Sequence, residues 1–158
     1  MKNTKSMIST IYQTLHAPDS KELEGIYKKW ASDYDHDVLE LAGYVGHLIT
    51  ARRWLSKSKN KKAKILEAGC GTGLVGEILS ENNYKDVEGV DFSQEMLDVA
   101  IQKQVYQSLR LVDLTKNLDY EDNLFDAIVC AGTFTCGHVG PEALLEMVRI
   151  TKKGGYIC

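Results

Sequence analysis

The sequence predicts an α/β fold: a doubly wound, mostly parallel sheet behind a set of N-terminal helices. Three observations carry this. Short apolar runs recur at 63–68, 87–91, 109–112, 125–130 and 156–158. Segments with helical spacing separate them, and strands alternating with helices build a parallel sheet covered on both faces. The first run also ends in a string of glycines, Gly69, Gly71 and Gly73, where open α/β sheets place their ligands, beyond the carboxyl ends of the strands.

Residues 20–33 read as a helix. Asp19 and Ser20 are N-cap types, and Glu22 stands three after Asp19, the spacing of a capping box. A second helix is expected over 37–55, where Val38, Leu41, Val45, Leu48 and Ala51 recur every three or four positions and give one apolar face. Residues 52–64 then carry seven Lys or Arg and no acid. They are expected to form a solvated linker, since the interleaved aromatics of a single-strand binder are lacking apart from Trp54.

After the first strand, Leu74, Val75, Ile78 and Leu79 recur at helical spacing until Asn82 and Asn83 break the run. Ser93 is placed to cap a helix whose inner face is Met96, Leu97, Ala100 and Ile101. Residues 114–123 form a polar loop. Pro141 can open a helix with Leu144, Leu145, Met147 and Val148 facing inward; Gly154 and Gly155 close it, and the fifth strand begins at Tyr156. The expected division, within a single domain, is a helical entrance, lid and basic linker over 1–62 and a ligand-binding core over 63–158.

Composition narrows the class. The 158 residues are 44% hydrophobic and 26% charged, with net charge −3, which suits one soluble domain without a general pull toward nucleic acid or anionic lipid. Met1–Ser6 is not followed by an apolar core, and no apolar run approaches a membrane span, so a cytoplasmic protein is expected. Cysteines 70, 130, 136 and 158 form no C-x-x-C pair, and reduced thiols are expected. Cys136 with His138, and His36 between two aspartates, lack the recurrent spacings of metal sites; no metal is expected.

The chemistry stands at the strand ends. Glycines after Glu67 allow a sharp bend and close backbone approach, and the following helix N-terminus favours an anionic group. Glu67 at the mouth of this bend would repel pyrophosphate and attract an ammonium or sulfonium group. Asp91 ends the second strand and can accept both hydroxyls of a ribose, while Phe92 offers a flat face to a base. Asp113 ends the third strand and can accept from an exocyclic amine. Three acids around a glycine bend suit a nucleoside that carries positive charge. A competing pattern exists: Gly71, Gly73 and Gly76, with Asp91 twenty residues after Gly71, also satisfy a dinucleotide fingerprint.

Ile65 through Gly73 resembles motif I of the class I S-adenosylmethionine-dependent methyltransferases. Gly89 through Leu97 resembles the segment that follows it in that family. Leu124 through Val129 is similar to the fourth-strand motif, and Leu144 through Gly155 to the helix and glycine turn before the fifth strand. The resemblance covers roughly 27 to 158. It implies a Rossmann-like fold and S-adenosylmethionine as cofactor. By this resemblance the bend of Gly69, Cys70, Gly71 and Gly73 lines the methionine part, Glu67 supports the bend and the ammonium group, and Asp91 holds the ribose. Phe92 and Met96 flank the adenine, with Asp113 and the Leu114 backbone at its edge. Tyr27, Trp30 and Tyr34 form part of a lid. The segment Tyr27 to Val38 resembles, more narrowly, the Williams–Beuren syndrome region methyltransferase-like subgroup.

The implied reaction is attack on the sulfonium methyl carbon by a small-molecule acceptor, with nucleic acid not favoured and no membrane involved. His138, after the fourth strand, is the candidate base, with His36 and Tyr34 behind it; an unperturbed imidazole titrates near ~6.5. Family members continue past the fifth strand into a further helix and an antiparallel hairpin, whereas this sequence stops at Cys158, so a chain lacking those elements is expected. Two other readings stand beside this one: a nicotinamide-dependent oxidoreductase, and a non-catalytic cofactor-binding subunit left by truncation.

Overall fold

In the computed structural model, which describes residues 4–135 and 138–158, strand β1 (Ile65–Ala68) is the middle of a five-stranded sheet. β2 (Val87–Asp91) and β3 (Ser108–Leu111) lie on one side of it, β4 (Phe125–Val129) and β5 (Thr151–Ile157) on the other. Every pairing is parallel, in the order β3-β2-β1-β4-β5. The expected doubly wound architecture is therefore present. The chain reverses direction of travel across β1, which opens a crevice at the carboxyl ends of the central strands.

Alternation along the strands divides the core in two. Ile65, Val87, Ala127 and Val129 face one helical layer with Trp54 and Leu79, on α4 (Gly46–Lys57) and α5 (Leu74–Glu81). Leu66, Val90 and Ile128 face the other, with Met147 and Ile150 of α7 (Ala143–Ile150); Phe125, at the start of β4, departs from the alternation and packs with this second group. The two-residue period of a strand sends neighbours to opposite faces, so strands buried on both sides read as continuous apolar runs.

Before the sheet come α1 (Thr4–Leu15), α2 (Ser20–Trp30), α3 (Tyr34–His36), a π-helical turn over Asp37–Leu41, and α4. Asp19 caps α2 by accepting from the Glu22 N–H at 2.9 Å. Between β2 and β3 lies α6 (Gln94–Gln102), capped by Ser93, which accepts from the Met96 N–H.

Four expectations need correction. α1 is a helix beyond those expected: Ile8, Ile11, Tyr12 and Leu15 recur at helical spacing, although only Met7 and Thr14 of it are buried. The single helix expected over 37–55 is broken between Leu41 and Gly46, because Gly43 adopts a left-handed conformation (φ 64°) that closes a helix end; Val45 is accordingly 51% exposed. The basic linker is shorter than expected, since Arg52, Arg53 and Lys57 lie on α4. Gly154 and Gly155 do not end a helix. They sit inside β5, where the pairing with β4 shifts register between Phe125 and Ala127, as glycines in a strand often signal.

The inner face of α7 also differs. Ala143, Met147 and Ile150 are buried, while Leu144, Leu145 and Val148 point outward. Met147→Ala should therefore cost about 2–5 kcal/mol, and Leu145→Ala should stay within about 0.5 kcal/mol of wild type, in urea denaturation. The reverse order would place the other face of α7 against the sheet.

Candidate functional site

The bend after β1 is built by the sheet register. Gly69 and Cys70 both donate their N–H to the Val90 carbonyl at 2.9 Å, so the chain turns while still tied to β2. Gly69 is required by close approach: a Cβ there would sit 2.2 Å from the Thr133 hydroxyl. Gly71 has φ 53° and open space where a side chain would stand, which leaves its backbone facing the cavity that begins here.

Glu67 lies beneath this bend, not at its mouth. It is 2% exposed and does not line the cavity. Its Oε2 accepts from the Tyr106 hydroxyl at 2.8 Å, and the carboxyl also takes the Gly76 N–H at the start of α5. Gly73, the residue before α5, has no side chain to cap it; Glu67 fills that role from the strand below. Burial pushes its pKa up to about 8 against the hydrogen bonds that favour the anion. Glu67 thus stands where it can support the bend, and it does not itself line the cavity. Cys70 is also turned away: it is 5% exposed, it does not line the cavity, and burial raises its thiol pKa.

Asp91 is different. It lines the cavity yet is only 7% exposed. Oδ2 accepts from the Gly71 N–H at 2.8 Å and Oδ1 from the Ser93 N–H at 3.0 Å. Burial raises its pKa, and these bonds oppose the shift. A carboxylate has roughly four lone-pair sites, so further acceptor capacity remains at a nearly buried position. Phe92, Met96, Val112 and Leu114 supply the apolar wall next to it. Asp113 lines the same cavity but is exposed, and its Oδ1 already accepts from the backbone and hydroxyl of Thr115. The cavity encloses about 590 Å³, within the ordinary size of a small-molecule site.

The entrance segment closes the other side. Tyr27 and Tyr34 line the cavity; Trp30 does not, being 3% exposed with its Nε1–H donated to Asp37 Oδ2 at 2.8 Å. Tyr27 meets Phe92 edge-on at 5.8 Å. Burial raises the phenol pKa of both Tyr27 and Tyr34, so they are neutral rings at physiological pH. His138 also lines the cavity, and both its ring nitrogens are engaged: Nε2 with the Tyr27 hydroxyl at 2.7 Å, Nδ1 with the Thr135 hydroxyl at 2.9 Å. His36 pairs with Glu40 at 3.1 Å and does not line the cavity. Cys136 lies outside the described residues.

Of the anticipated residues, the structure thus gathers Gly69, Gly71, Asp91, Phe92, Met96, Asp113, Leu114, Tyr27, Tyr34 and His138 around one cavity. Glu67, Cys70, Gly73 and Trp30 stand outside its lining. Sequence reasoning missed Thr133 and Thr135 after β4 and Asp19 and Glu142 at the rim. The first two follow the same strand-end rule that found Asp91. Among the described lining residues there are four carboxylates, Asp19, Asp91, Asp113 and Glu142, and no Lys or Arg.

Residues 66–158 match the family described as a methyltransferase domain. Methyltransferase-like protein 27 of Homo sapiens is 34% identical over 143 residues, covering 89% of this chain and 58% of that protein. The ubiquinone/menaquinone biosynthesis C-methyltransferase of Bdellovibrio bacteriovorus is 34% identical over 151 residues, covering 90% of this chain and 62% of its own length. The chain therefore spans about three-fifths of these relatives. A TehB-like S-adenosylmethionine-dependent methyltransferase from Corynebacterium glutamicum superposes with a TM-score of 0.64 at 28% identity, over 83% of this chain and 71% of that one.

The buried Glu67 makes stability pH-dependent. Its folded pKa of about 8 exceeds the ordinary 4.5, so the folded state holds the proton more tightly. Its contribution is most favourable below the ordinary value and is lost as pH rises through the folded one. Glu67→Gln keeps an acceptor for Tyr106 without a charge. The stability difference between variant and wild type should grow in the variant's favour from pH 5 to pH 8, by at most about 1.4 kcal/mol per unit. A difference independent of pH in chemical denaturation would show Glu67 ionised in the fold.

Proposed function

Because the chain belongs to the methyltransferase-domain family, matched over residues 66–158, we propose that its cavity binds S-adenosylmethionine and that the protein methylates a small-molecule acceptor. S-adenosylmethionine is the cofactor implied by the family and by the solved neighbour of like fold.

The observation that carries the reading is the charge of the cavity: four carboxylates and no cationic side chain among the described lining residues. A sulfonium with an α-ammonium is favoured there and a pyrophosphate is not. The start of α5, where a dinucleotide would set its phosphates, already faces the Glu67 carboxyl. The nicotinamide reading loses on both counts.

Bound in this cavity, S-adenosylmethionine supplies a methyl group activated by the adjoining sulfonium. In this reading Asp91 accepts ribose hydroxyls with its remaining lone pairs, the backbone of Gly69 and Gly71 lies along the methionine part, and Phe92, Met96 and Leu114 enclose the base with Asp113 at its edge. Glu67, Cys70 and Gly73 support the bend from behind. Tyr27 and Tyr34 shield the cavity from water, with Trp30 packed behind them. The residues 1–62 thus act as entrance and lid to the core of 63–158. Alignment of reacting atoms near ~3–3.5 Å is the main duty asked of the protein. His138 is proposed to take up a proton that the acceptor sheds; with its Nε2 held by Tyr27, that proton would pass through the Tyr27 hydroxyl.

A cavity whose described lining carries no Lys or Arg disfavours acceptors that present phosphate, which places nucleic acid behind small neutral or cationic molecules. Among the described residues, no helix is long and apolar enough to cross a membrane. The finer kinship with the Williams–Beuren subgroup is supported by the segment Tyr27 to Val38, which carries the two lid tyrosines.

S-adenosylhomocysteine, the demethylated product, should raise the Tm of the chain, with about 2.7 kcal/mol of stabilisation at a hundredfold excess over Kd. NAD should not. Asp91→Ala should weaken the binding by about tenfold or more, as expected for losing hydrogen bonds to a charged group. Stabilisation by NAD in place of S-adenosylhomocysteine would overturn the proposal.

A further inference from the structure

We infer that Asp35 is a positioning residue for the glycine bend: it orients Thr72 through a hydrogen bond and is itself held in place by Lys103. The inference rests on the reading of the cavity as the S-adenosylmethionine site.

Three segments far apart in sequence meet at this point. Asp35 belongs to α3, next to Tyr34, which lines the cavity. Its Oδ1 accepts the Thr72 hydroxyl, and its Oδ2 accepts from Lys103 Nζ at 2.8 Å. The same Nζ donates to Glu77 Oε2 on α5 at 2.6 Å. Lys103 is the C-cap residue of α6. None of Asp35, Thr72 and Lys103 lines the cavity, so whatever they do for a ligand they do through a neighbour.

That neighbour is Gly71. Thr72 is 1% exposed and stands between Gly71 and Gly73, so the hydrogen bond that holds its side chain also anchors the middle of the bend. The Gly71 N–H donates to Asp91 Oδ2 at 2.8 Å. An unbroken line of contacts therefore runs from the end of α6, through the entrance segment and the bend, to the carboxylate at the end of β2. Without Asp35 the buried Thr72 hydroxyl would lose its acceptor, and the bend would lose the contact that ties it to the entrance segment. Lys103 makes the arrangement rigid. Its side chain is only 14% exposed, and a partly buried ammonium is costly unless paired, so it holds the Asp35 carboxylate where Thr72 meets it. The same contact fixes the backbone that carries Tyr34.

The pattern of effects separates positioning from plain buttressing. Affinity for S-adenosylhomocysteine is measured by calorimetry at a temperature where each protein is fully folded. Thr72→Val, which keeps the shape and removes the hydroxyl, should weaken binding about three- to tenfold, the range of one lost hydrogen bond. Thr72→Ser should restore it to within about twofold. Asp35→Ala should weaken binding to a similar degree. The double variant should be no weaker than the worse single one, as expected of two partners in one contact. In the ligand-free proteins, the amide resonances of Gly71 and Gly73 should shift in Thr72→Val and return in Thr72→Ser.

Wild-type affinity in both Thr72→Val and Asp35→Ala, with only Tm lowered, would overturn the inference and leave a structural buttress. Should Asp35→Ala fail to fold, the Val and Ser pair at position 72 decides alone. If the wild-type chain binds no S-adenosylhomocysteine, the cofactor reading fails first. The Gly71 and Gly73 amides of the ligand-free proteins then still decide whether Thr72 governs the bend, and unchanged amides would overturn that too.

Discussion

Asp91 is the point on which the site turns, and the parallel register of β1 and β2 puts it there. Ala68 stands opposite Val90, so the last residues of the two strands emerge together. The first two peptides of the bend still donate to Val90, and the next residue, Gly71, gives its N–H to Asp91. The carboxylate thus closes the bend and faces the cavity at once. A register slip of one residue would send its side chain to the opposite face of the sheet, and both functions would be lost together. Burial raises the pKa of this carboxyl, while the backbone N–H bonds from Gly71 and Ser93 favour its charged form. The cavity begins with a polar group whose acceptors are only partly used.

Charge is then distributed with a consistent sense. Acids border the cavity, and two lysines outside its lining are paired with acids: Lys28 with Glu95 at 2.6 Å and Lys103 with Asp35 and Glu77. Glu67 stands apart as a buried carboxyl spent on the first turn of α5. This matters for ligand choice. A glycine bend followed by a helix is a generic anion site because of its free N–H groups. Here the Glu67 carboxyl takes one of those N–H groups, that of Gly76, from inside the fold.

The central strands, the bend and the strand-end residues Asp91, Phe92 and Asp113 were legible because each is a local pattern: an apolar run, a glycine spacing, a position just after a strand. What escaped had other causes. Glu67 sits in the most readable motif of the chain, yet its direction depends on Tyr106, a residue 39 positions away. Trp30 reads as a lid aromatic, but Asp37 draws its indole inward. The inner face of α7 is not readable locally because six apolar residues compete for two arcs of one helix, and only packing with Leu66, Phe125 and Ile128 of the sheet selects the arc of Met147 and Ile150. The break at Gly43 is written in the sequence as two nearby glycines, Gly43 and Gly46, inside an apolar period that otherwise runs on across them.

The entrance segment shows why a lid is harder to read than a sheet. Its apolar residues Leu23, Ala31 and Val38 are buried, and that much follows from helical spacing. Where it sits over the core, however, is set by single polar contacts to separate loops: Tyr27 to His138 after β4, Lys28 to Glu95 at the start of α6, Asp35 to Thr72 in the glycine bend. The first of these spans 111 residues of sequence and the last 37. An apolar stripe tells a helix which face to bury but leaves it free to slide and rotate on a smooth partner. Hydrogen bonds are directional, and two of them to separate loops, together with the ion pair to Glu95 on α6, limit that freedom. The same contacts make the lid a reporter of the site, because a movement of the bend that breaks Asp35 from Thr72 also shifts Tyr34 in the cavity wall.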